Sequence, residues 1–343
     1  MVDCAVLAPD DWDEYVLGHA DATVYHLAAA VGIGRAVFGL RCHFLTARDA
    51  GGRLCGVLPL VEQRIVPGLR CLISLPFFTG GGVLATDDRA LHGLLQAAEQ
   101  LAAERRAGRI VLRHGGPVPA IPYTENLDKV AMVLPLPDSS AELQQRLGSK
   151  LRSQIRRAER ENPEVRVGGA ELIDDFYPVF CSVMRDLGTP VYPRHFFSTV
   201  CAVMQARTSL VVVYLDGTPV AGAVLLRWRD SMEVPWAATL GRVKGLAINM
   251  RLYWELLQCA MAQGCKTFDF GRSSVDAGTY RFKSQWGAKP VQLHWYCSGD
   301  KAAAVSQRHE GQSTLDLAVR LWRRMPLPVA NWLGPRISPY LPW

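Results

Sequence analysis

The chain of 343 residues has no long apolar run. Nothing in it approaches the roughly 18 residues that a membrane-spanning helix needs. It has no CxxC pair, and none of its nine cysteines (4, 42, 55, 71, 181, 201, 259, 265 and 297) stands beside a spaced pair of histidines. That argues against a zinc site and, because the count is odd, against a disulfide framework. Most of the cysteines sit in apolar runs, where a thiol acts as a small hydrophobe. A reducing, cytoplasmic setting is therefore expected. The opening residues, MVDCAVLAPDDWDEY, are acidic and carry no apolar h-region, so no signal peptide is expected. No histidine is placed to complete a serine triad. Charged residues are few, 20% against 49% hydrophobic, and the net charge of +6 favours an anionic partner without naming one. CoA phosphates, tRNA, a nucleotide sugar and an acidic membrane surface all stay open.

What is present is a repeat. The segment CHFLTARDAGGRLCGVLPLV, residues 42–61, reads as strand, glycine turn, strand, and SLVVVYLDGTPVAGAVLLRW, residues 209–228, reads the same way. Gly52 matches Gly217, and Gly56 matches Gly222. Each hairpin is followed by an extended stretch, a helix and a short strand. The helix and strand fall over 88–106 and 109–113 in the first half, and over 246–263 and 266–270 in the second. Each helix ends near a glycine, Gly108 or Gly264, the residue expected just past a C-terminus. The copies are offset by roughly 160 residues, about one domain length, which implies a duplication.

Between the copies, Ser139 and Glu142 have the capping-box spacing. They open one helix running to Arg160, with Leu143, Leu147, Leu151, Ile155 and Ala158 on one stripe. Arg146, Lys150, Arg152, Arg156, Arg157 and Arg160 occupy its other faces, and Asn162-Pro163 stops it. This basic face has three readings: a solvated surface, a grip on a phosphate-rich donor such as tRNA or a nucleotide sugar through residues including Arg152 and Arg156, or a contact with anionic lipid. A second helix is expected over 172–187, ended by Gly188. The loop TPVYPRHFF then feeds a third helix ending at Gln205.

The second half thus reads helix, loop, helix, three strands, helix, strand, then FDFGRSSVDAGTYRFKSQWG, and a last strand over Val291–Cys297. This order resembles a GNAT acyltransferase module. The expected fold is α/β (α+β), with two tandem GNAT-like modules, each a mixed, mostly antiparallel sheet flanked by helices. They span 1–137 and 138–300, with a basic and aromatic tail over 301–343. In the GNAT arrangement two central strands splay apart, an acyl carrier enters the gap, and amides at the next helix N-terminus hold its pyrophosphate. Arg242-Val-Lys-Gly245-Leu-Ala247 satisfies the loose pattern of that loop and falls where it belongs; an ordinary basic loop is the other reading. The first copy has TGGGVLATDD there. Asp87 and Asp88 would repel phosphate, so the first module is expected to be a support that binds no CoA.

FDFGRSS, GTYRFKSQWGA, MRDLGTPVYPRHFF and KLRSQIRRAERE together resemble the FemAB-type aminoacyl and acyl transferases, which are built from two GNAT-like modules. The resemblance covers most of the chain and is strongest over 145–298. The tail LWRRMPLPVANWLGP is similar to the FemAB-related proteins encoded with exosortase and exopolysaccharide systems. The long coiled-coil arm of some peptidoglycan-bridge enzymes is absent from the sequence. The resemblance implies transfer of an acyl or aminoacyl group to an amine, less readily a hydroxyl, on a small-molecule, polysaccharide or peptidoglycan-precursor acceptor of the cell envelope. Acyl-CoA, acyl carrier protein or aminoacyl-tRNA would be the co-substrate, with no permanently bound cofactor or metal. It also implies that Lys283, the lysine of RFKSQWG, stabilises the charge that develops during transfer. A surface pairing of Lys283 with a carboxylate is the alternative.

Around that lysine, Gly271 lets the chain turn so that Arg272 faces the cleft and forks onto phosphate or carboxylate; a pairing with Asp269 that locks the turn is the other reading. Asp269 points away from Phe268 and Phe270, either buried with a partner or exposed as a base toward an amine. Ser273 and Ser274 are expected to cap the following segment. Tyr280, Phe282 and Trp286 either wall a substrate tunnel or fill the core. Thr189 and Tyr192 lie in the loop that covers the acceptor in GNAT modules. The C-terminal tail mixes tryptophan, arginine and proline, which suits a peripheral membrane contact or packing on the body. A non-catalytic GNAT pair acting as a membrane scaffold remains the alternative to an enzyme.

Overall fold

The computed structural model describes residues 1–65, 68–299 and 312–341. In chain order the first half contains β1 (Val2–Ala5), α1 (Trp12–Gly18), α2 (Ala28–Phe38), β2 (Cys42–Arg48), β3 (Leu54–Ile65), β4 (Leu69–Ile73), β5 (Leu84–Ala85), α3 (Asp88–Arg105), β6 (Arg109–His114) and β7 (Thr124–Asn126). The second half runs β8 (Val130–Pro135), α4 (Ser140–Arg146), α5 (Ser149–Glu159), β9 (Glu164–Gly168), α6 (Ile173–Leu187), α7 (Arg194–Met204), β10 (Thr208–Leu215), β11 (Thr218–Trp228), β12 (Ser231–Thr239), α8 (Ile248–Ala262), β13 (Thr267–Ser273), α9 (Gly278–Ser284), β14 (Lys289–Gln292) and β15 (His294–Cys297). Helices over Gln312–Arg324 and Leu327–Ile337 follow.

The strands form two sheets of the same plan. One is ordered β1-β2-β3-β4-β6-β15-β7, with β5 beside β3; the other is β9-β10-β11-β12-β13-β8-β14. In each, an antiparallel meander ends in a parallel pair, β4 with β6 and β12 with β13. A helix makes the crossover, α3 or α8, as a parallel connection requires. The hairpin glycines Gly52 and Gly217 both stand at positive φ, 81° and 71°. The tandem plan expected from the repeat is therefore present.

The boundaries differ. Among the described residues, one compact unit falls within 1–129, 292–312 and 337–343, and the other within 130–291 and 313–336. The expected division at residues 137 and 300 assigned one strand wrongly on each side. β8 hydrogen-bonds to β13, in the second sheet, and β15 to β6, in the first. The last strand expected over Val291–Cys297 is thus two strands that join different sheets. The tail segment 300–311 lies outside the described residues.

Three further expectations need correcting. Gly56 and Gly222 do not match: a Cβ on Gly56 would meet Leu94 of α3, whereas one on Gly222 would meet Phe176 of α6. Each second strand carries one bulge at the same place, so the bulges cancel; Gly56 lies four residues after Gly52 but Gly222 five after Gly217, and the odd difference sends them to opposite faces. The left-handed C-cap of α3 is Arg106, φ 53°, while Gly108 donates its N–H to Arg70. The single basic helix is two, α4 and α5, broken where Leu147 and Gly148 are extended. Its apolar stripe still holds: Leu143, Leu147, Leu151, Ile155 and Ala158 are all buried in one core with Leu252, Leu256 and Ala260 of α8. Ser139 Oγ accepts from the Glu142 N–H at 3.2 Å, and Glu142 pairs with Arg146.

Candidate active site

β12 and β13 begin as a tight parallel pair and then part. Their register covers only Ser231↔Thr267, Met232↔Phe268 and Glu233↔Asp269, although β12 continues to Thr239. The parting has a local cause. Against β8, β13 carries one extra residue between Asp269 and Arg272, a bulge that bends the strand. Gly271 supplies it at φ 75°, with the Val234 carbonyl only 3.1 Å from where a Cβ would sit. Asp269 fixes the turn by accepting the Gly271 N–H at 2.8 Å.

The bulge turns two carbonyls inward, and Lys283 from α9 meets them. Its ammonium donates to the oxygens of Gly271 at 2.8 Å and Arg272 at 2.9 Å. An ammonium has three protons, so one remains for another acceptor. Lys283 is 6% exposed, which excludes the surface ion pair held open from sequence. Burial takes its pKa down to about 8; the charges of Asp269 and then Glu233 oppose that fall, and the Arg272 guanidinium adds to it. Burial likewise raises the Asp269 carboxyl to about 6, against the pull of the Gly271 amide, the Lys283 charge and the Met132 backbone. Between those two values both groups are charged, in surroundings that disfavour each charge.

The aromatic face behind them is core. Phe268 and Phe270 are buried and lie edge-on at 4.9 Å. Tyr253 of α8 stacks on Phe270 at 5.6 Å and meets Phe282 at 4.9 Å. Trp286, 2% exposed, belongs to this cluster, with Tyr280 and Phe282 packed against it. Of the two readings for these aromatics, the core reading describes Trp286. The expected cap by Ser273 is not made: the N-cap of α9 is Ala277, with no side-chain cap bond. Ser273 is instead 4% exposed, and its hydroxyl is buried without a partner. Tyr192 does not lie open over an acceptor. It is 4% exposed and stacks on Phe196 at 4.7 Å, in a cluster with Phe197 and Trp236. Thr189 closes α6 through its N–H to the Met184 carbonyl, beside Gly188 at φ 80°.

At the start of α8, residues Gly241–Leu246 form a 3-10 turn rather than an open loop. Arg242 and Gly245 are exposed on it. Ala247 follows at φ 59°, a left-handed conformation that costs a residue with a Cβ roughly 1–2 kcal/mol. Such strain gathers at functional turns. α5 packs beside α8, fastened by Arg251 to Glu159 at 3.1 Å. Arg156, Arg157 and Arg160 are exposed, and Arg152 is partly exposed. Sequence reasoning missed Glu233. Its trace is the only carboxylate in SMEVPWAAT, a strand whose alternate residues Met232, Val234, Trp236 and Ala238 are buried.

In the first unit the corresponding pair stops because β4 ends: the next residue, Ser74, still donates its N–H to the Val111 carbonyl at 2.8 Å, and its Oγ accepts the Arg113 N–H at 3.0 Å. β4 and β6 pair only over Cys71↔Arg109, Leu72↔Ile110 and Ile73↔Val111. A cavity of about 580 Å³ is lined there by Gly80–Gly82, Asp87, His26 and His114 among others. His114 Nε2 accepts the Val83 N–H at 3.3 Å, and His26 Nδ1 accepts that of Thr23 at 3.0 Å. Burial lowers both pKa values, to about 3 for His114 and about 4 for His26, so both stay neutral.

Residues 146–284 match the acetyltransferase (GNAT) domain, the stretch that holds α5, α8, the bulge and Lys283. No curated protein matches the chain. Solved structures share its fold. FemX matches with a TM-score of 0.67 at 14% identity, over 89% of this chain and 100% of FemX. The C-terminal domain of a lysylphosphatidylglycerol synthetase from Agrobacterium fabrum, itself described as putative, matches at 0.56 and 12%, over 82% and 90%. A tandem GNAT protein from the clavulanic acid biosynthesis pathway matches at 0.55 and 11%, over 88% and 100%.

Proposed function

We propose that the protein is an acyltransferase of the FemAB type that moves an acyl or aminoacyl group to an amine on a cell-envelope or exopolysaccharide precursor. One observation carries this reading: a buried ammonium, pinned by the bulge at the mouth of a parted strand pair, inside the segment that matches a GNAT domain. The neutral amine attacks the carbonyl carbon of a thioester or ester. As the C–N bond forms, charge collects on the carbonyl oxygen. The third proton of Lys283 is the donor offered to that oxygen, from a site where little water competes. The C–S or C–O bond then breaks, the carrier leaves, and the amine's proton passes to a base. Asp269 holds the bulge and so positions Lys283. The donor's phosphates are received by Arg242, the exposed turn at Gly245 and the first amides of α8.

The exposed arginines of α5 favour one variant of this reading, in which the donor is an aminoacyl-tRNA. Incubating the protein with glucosamine as an amine probe and, in turn, acetyl-CoA, an acyl carrier protein charge mixture and aminoacylated tRNA tests both. We expect a mass increase on the probe with one donor class. Loss of that product on ribonuclease treatment identifies tRNA; stabilisation of the fold by CoA identifies the thioester. If no donor gives product and cells keep their envelope phenotype with Lys283→Ala, the scaffold reading stands in place of the enzyme.

A further inference from the structure

The last two helices are anchored on one side and apolar on the other. In Gln312–Arg324, Val319 lies so near Gly188 that a Cβ there would fall 2.5 Å from its Cγ1, and Trp322 is buried. Arg185 donates to the Met325 carbonyl at 3.1 Å, and Arg323 to that of Leu187 at 3.3 Å. In Leu327–Ile337, Gly334 packs against the Val191 backbone, where a Cβ would fall 2.8 Å from the amide nitrogen. These are not loose ends.

The opposite faces carry what a water-facing helix avoids. Leu317 and Leu321, one turn apart, are 56% and 59% exposed, with Arg320 and Arg324 exposed between and after them. On the next helix Val329 and Trp332 are 45% and 60% exposed. Arg336 stacks over the Trp332 ring at 4.2 Å. Residues 312–341 hold four arginines and one acid, Asp316.

We propose that this face is a docking surface for an anionic phospholipid bilayer. Leu317, Leu321, Val329 and Trp332 enter the boundary between headgroups and acyl chains, and Arg320, Arg324 and Arg336 meet lipid phosphates. Apolar side chains beside a tryptophan and flanking guanidinium groups match that layer, which is apolar on one side and anionic on the other. A second copy of the chain is a poor occupant. A twofold interface sets a patch against itself, so arginines would face arginines with one aspartate on each side to relieve them.

Co-sedimentation of the full chain with phosphatidylcholine vesicles, with and without phosphatidylglycerol, tests this. We expect binding that requires phosphatidylglycerol and weakens with salt. Leu321→Glu or Trp332→Glu should lower it about tenfold or more, and Arg320→Ala and Arg324→Ala about fivefold each. These positions are more than half exposed or outward-facing, and unchanged thermal unfolding checks that each variant folds. Binding that ignores all four substitutions, or no binding to phosphatidylglycerol vesicles, overturns the proposal. So does a dimer in sedimentation equilibrium that Leu321→Glu dissolves.

Discussion

The parallel strand pairs of the two sheets share a backbone plan and differ in how they end and in what lies beside them. Each keeps three parallel register positions; β4 then ends, whereas β12 and β13 both continue and part. Beside the first stand two buried neutral histidines, each satisfied by a neighbouring amide. Beside the second stands a buried ammonium next to a carboxylate. The difference shows in how each responds to pH. For His26 and His114 the folded pKa lies below the unfolded one, so their contribution is complete above about pH 6.5 and is lost as pH falls toward 4 and 3. For Asp269 the folded pKa is raised, so its contribution is complete below about 3.9 and is lost as pH rises through 6. For Lys283 it is lowered, so stability is gained only as pH rises from 8 toward the ordinary lysine value. Near neutrality the first site rests at its most stable and the second at its least. Perturbed groups of this kind gather at functional sites, which supports the proposed role of the pair.

Lys283→Met should break the comparison most. It should lower acyl transfer by about 100- to 1,000-fold, while His114→Gln in the first unit leaves the rate unchanged. The wild-type rate should plateau between two apparent pKa values near 6 and 8, belonging to the pair rather than to either residue. Equal losses in both variants would mean that the first unit shares the chemistry.

Glycine substitutions come next. At Gly82 a Cβ would fall 2.3 Å from His114 Nε2, and Gly82→Ala should cost about 1–3 kcal/mol in urea unfolding. Gly271→Ala meets positive φ and the Val234 carbonyl and should cost a similar 1–3 kcal/mol. Only Gly271→Ala should also slow transfer, because only it moves the carbonyls that hold Lys283. A smaller effect concerns acid: between pH 7 and 4, His114→Gln should lose less stability than the wild type in urea titrations. Ala247→Gly should give the smallest change, a gain of up to about 1 kcal/mol, by relieving the left-handed turn before α8.

The repeat was legible because strand-turn-strand patterns and glycine turns are local. Gly52, Gly217 and the stripe from Leu143 to Ala158 could be placed from spacing alone. The strand exchange was not. Val291–Cys297 read as one strand, and nothing in a period of two says that it breaks in two or which sheet each part joins. The match of Gly56 to Gly222 failed because they stand four and five residues after Gly52 and Gly217, and in a strand one residue changes the face. At the site, the glycine turn and the lysine could be read from FDFGRSS and RFKSQWG. That Lys283 would spend two protons on the bulge, that Ser273 would be buried, and that Glu233 would stand opposite Asp269 all depend on contacts between distant segments.

The central claim is that Lys283 is a desolvated cation held at the parted strands. Titrating its side chain by NMR, with the signal assigned by comparison with Lys283→Met, tests that without any substrate. We expect a midpoint near pH 8. An ordinary lysine midpoint, about 10.4, would contradict it.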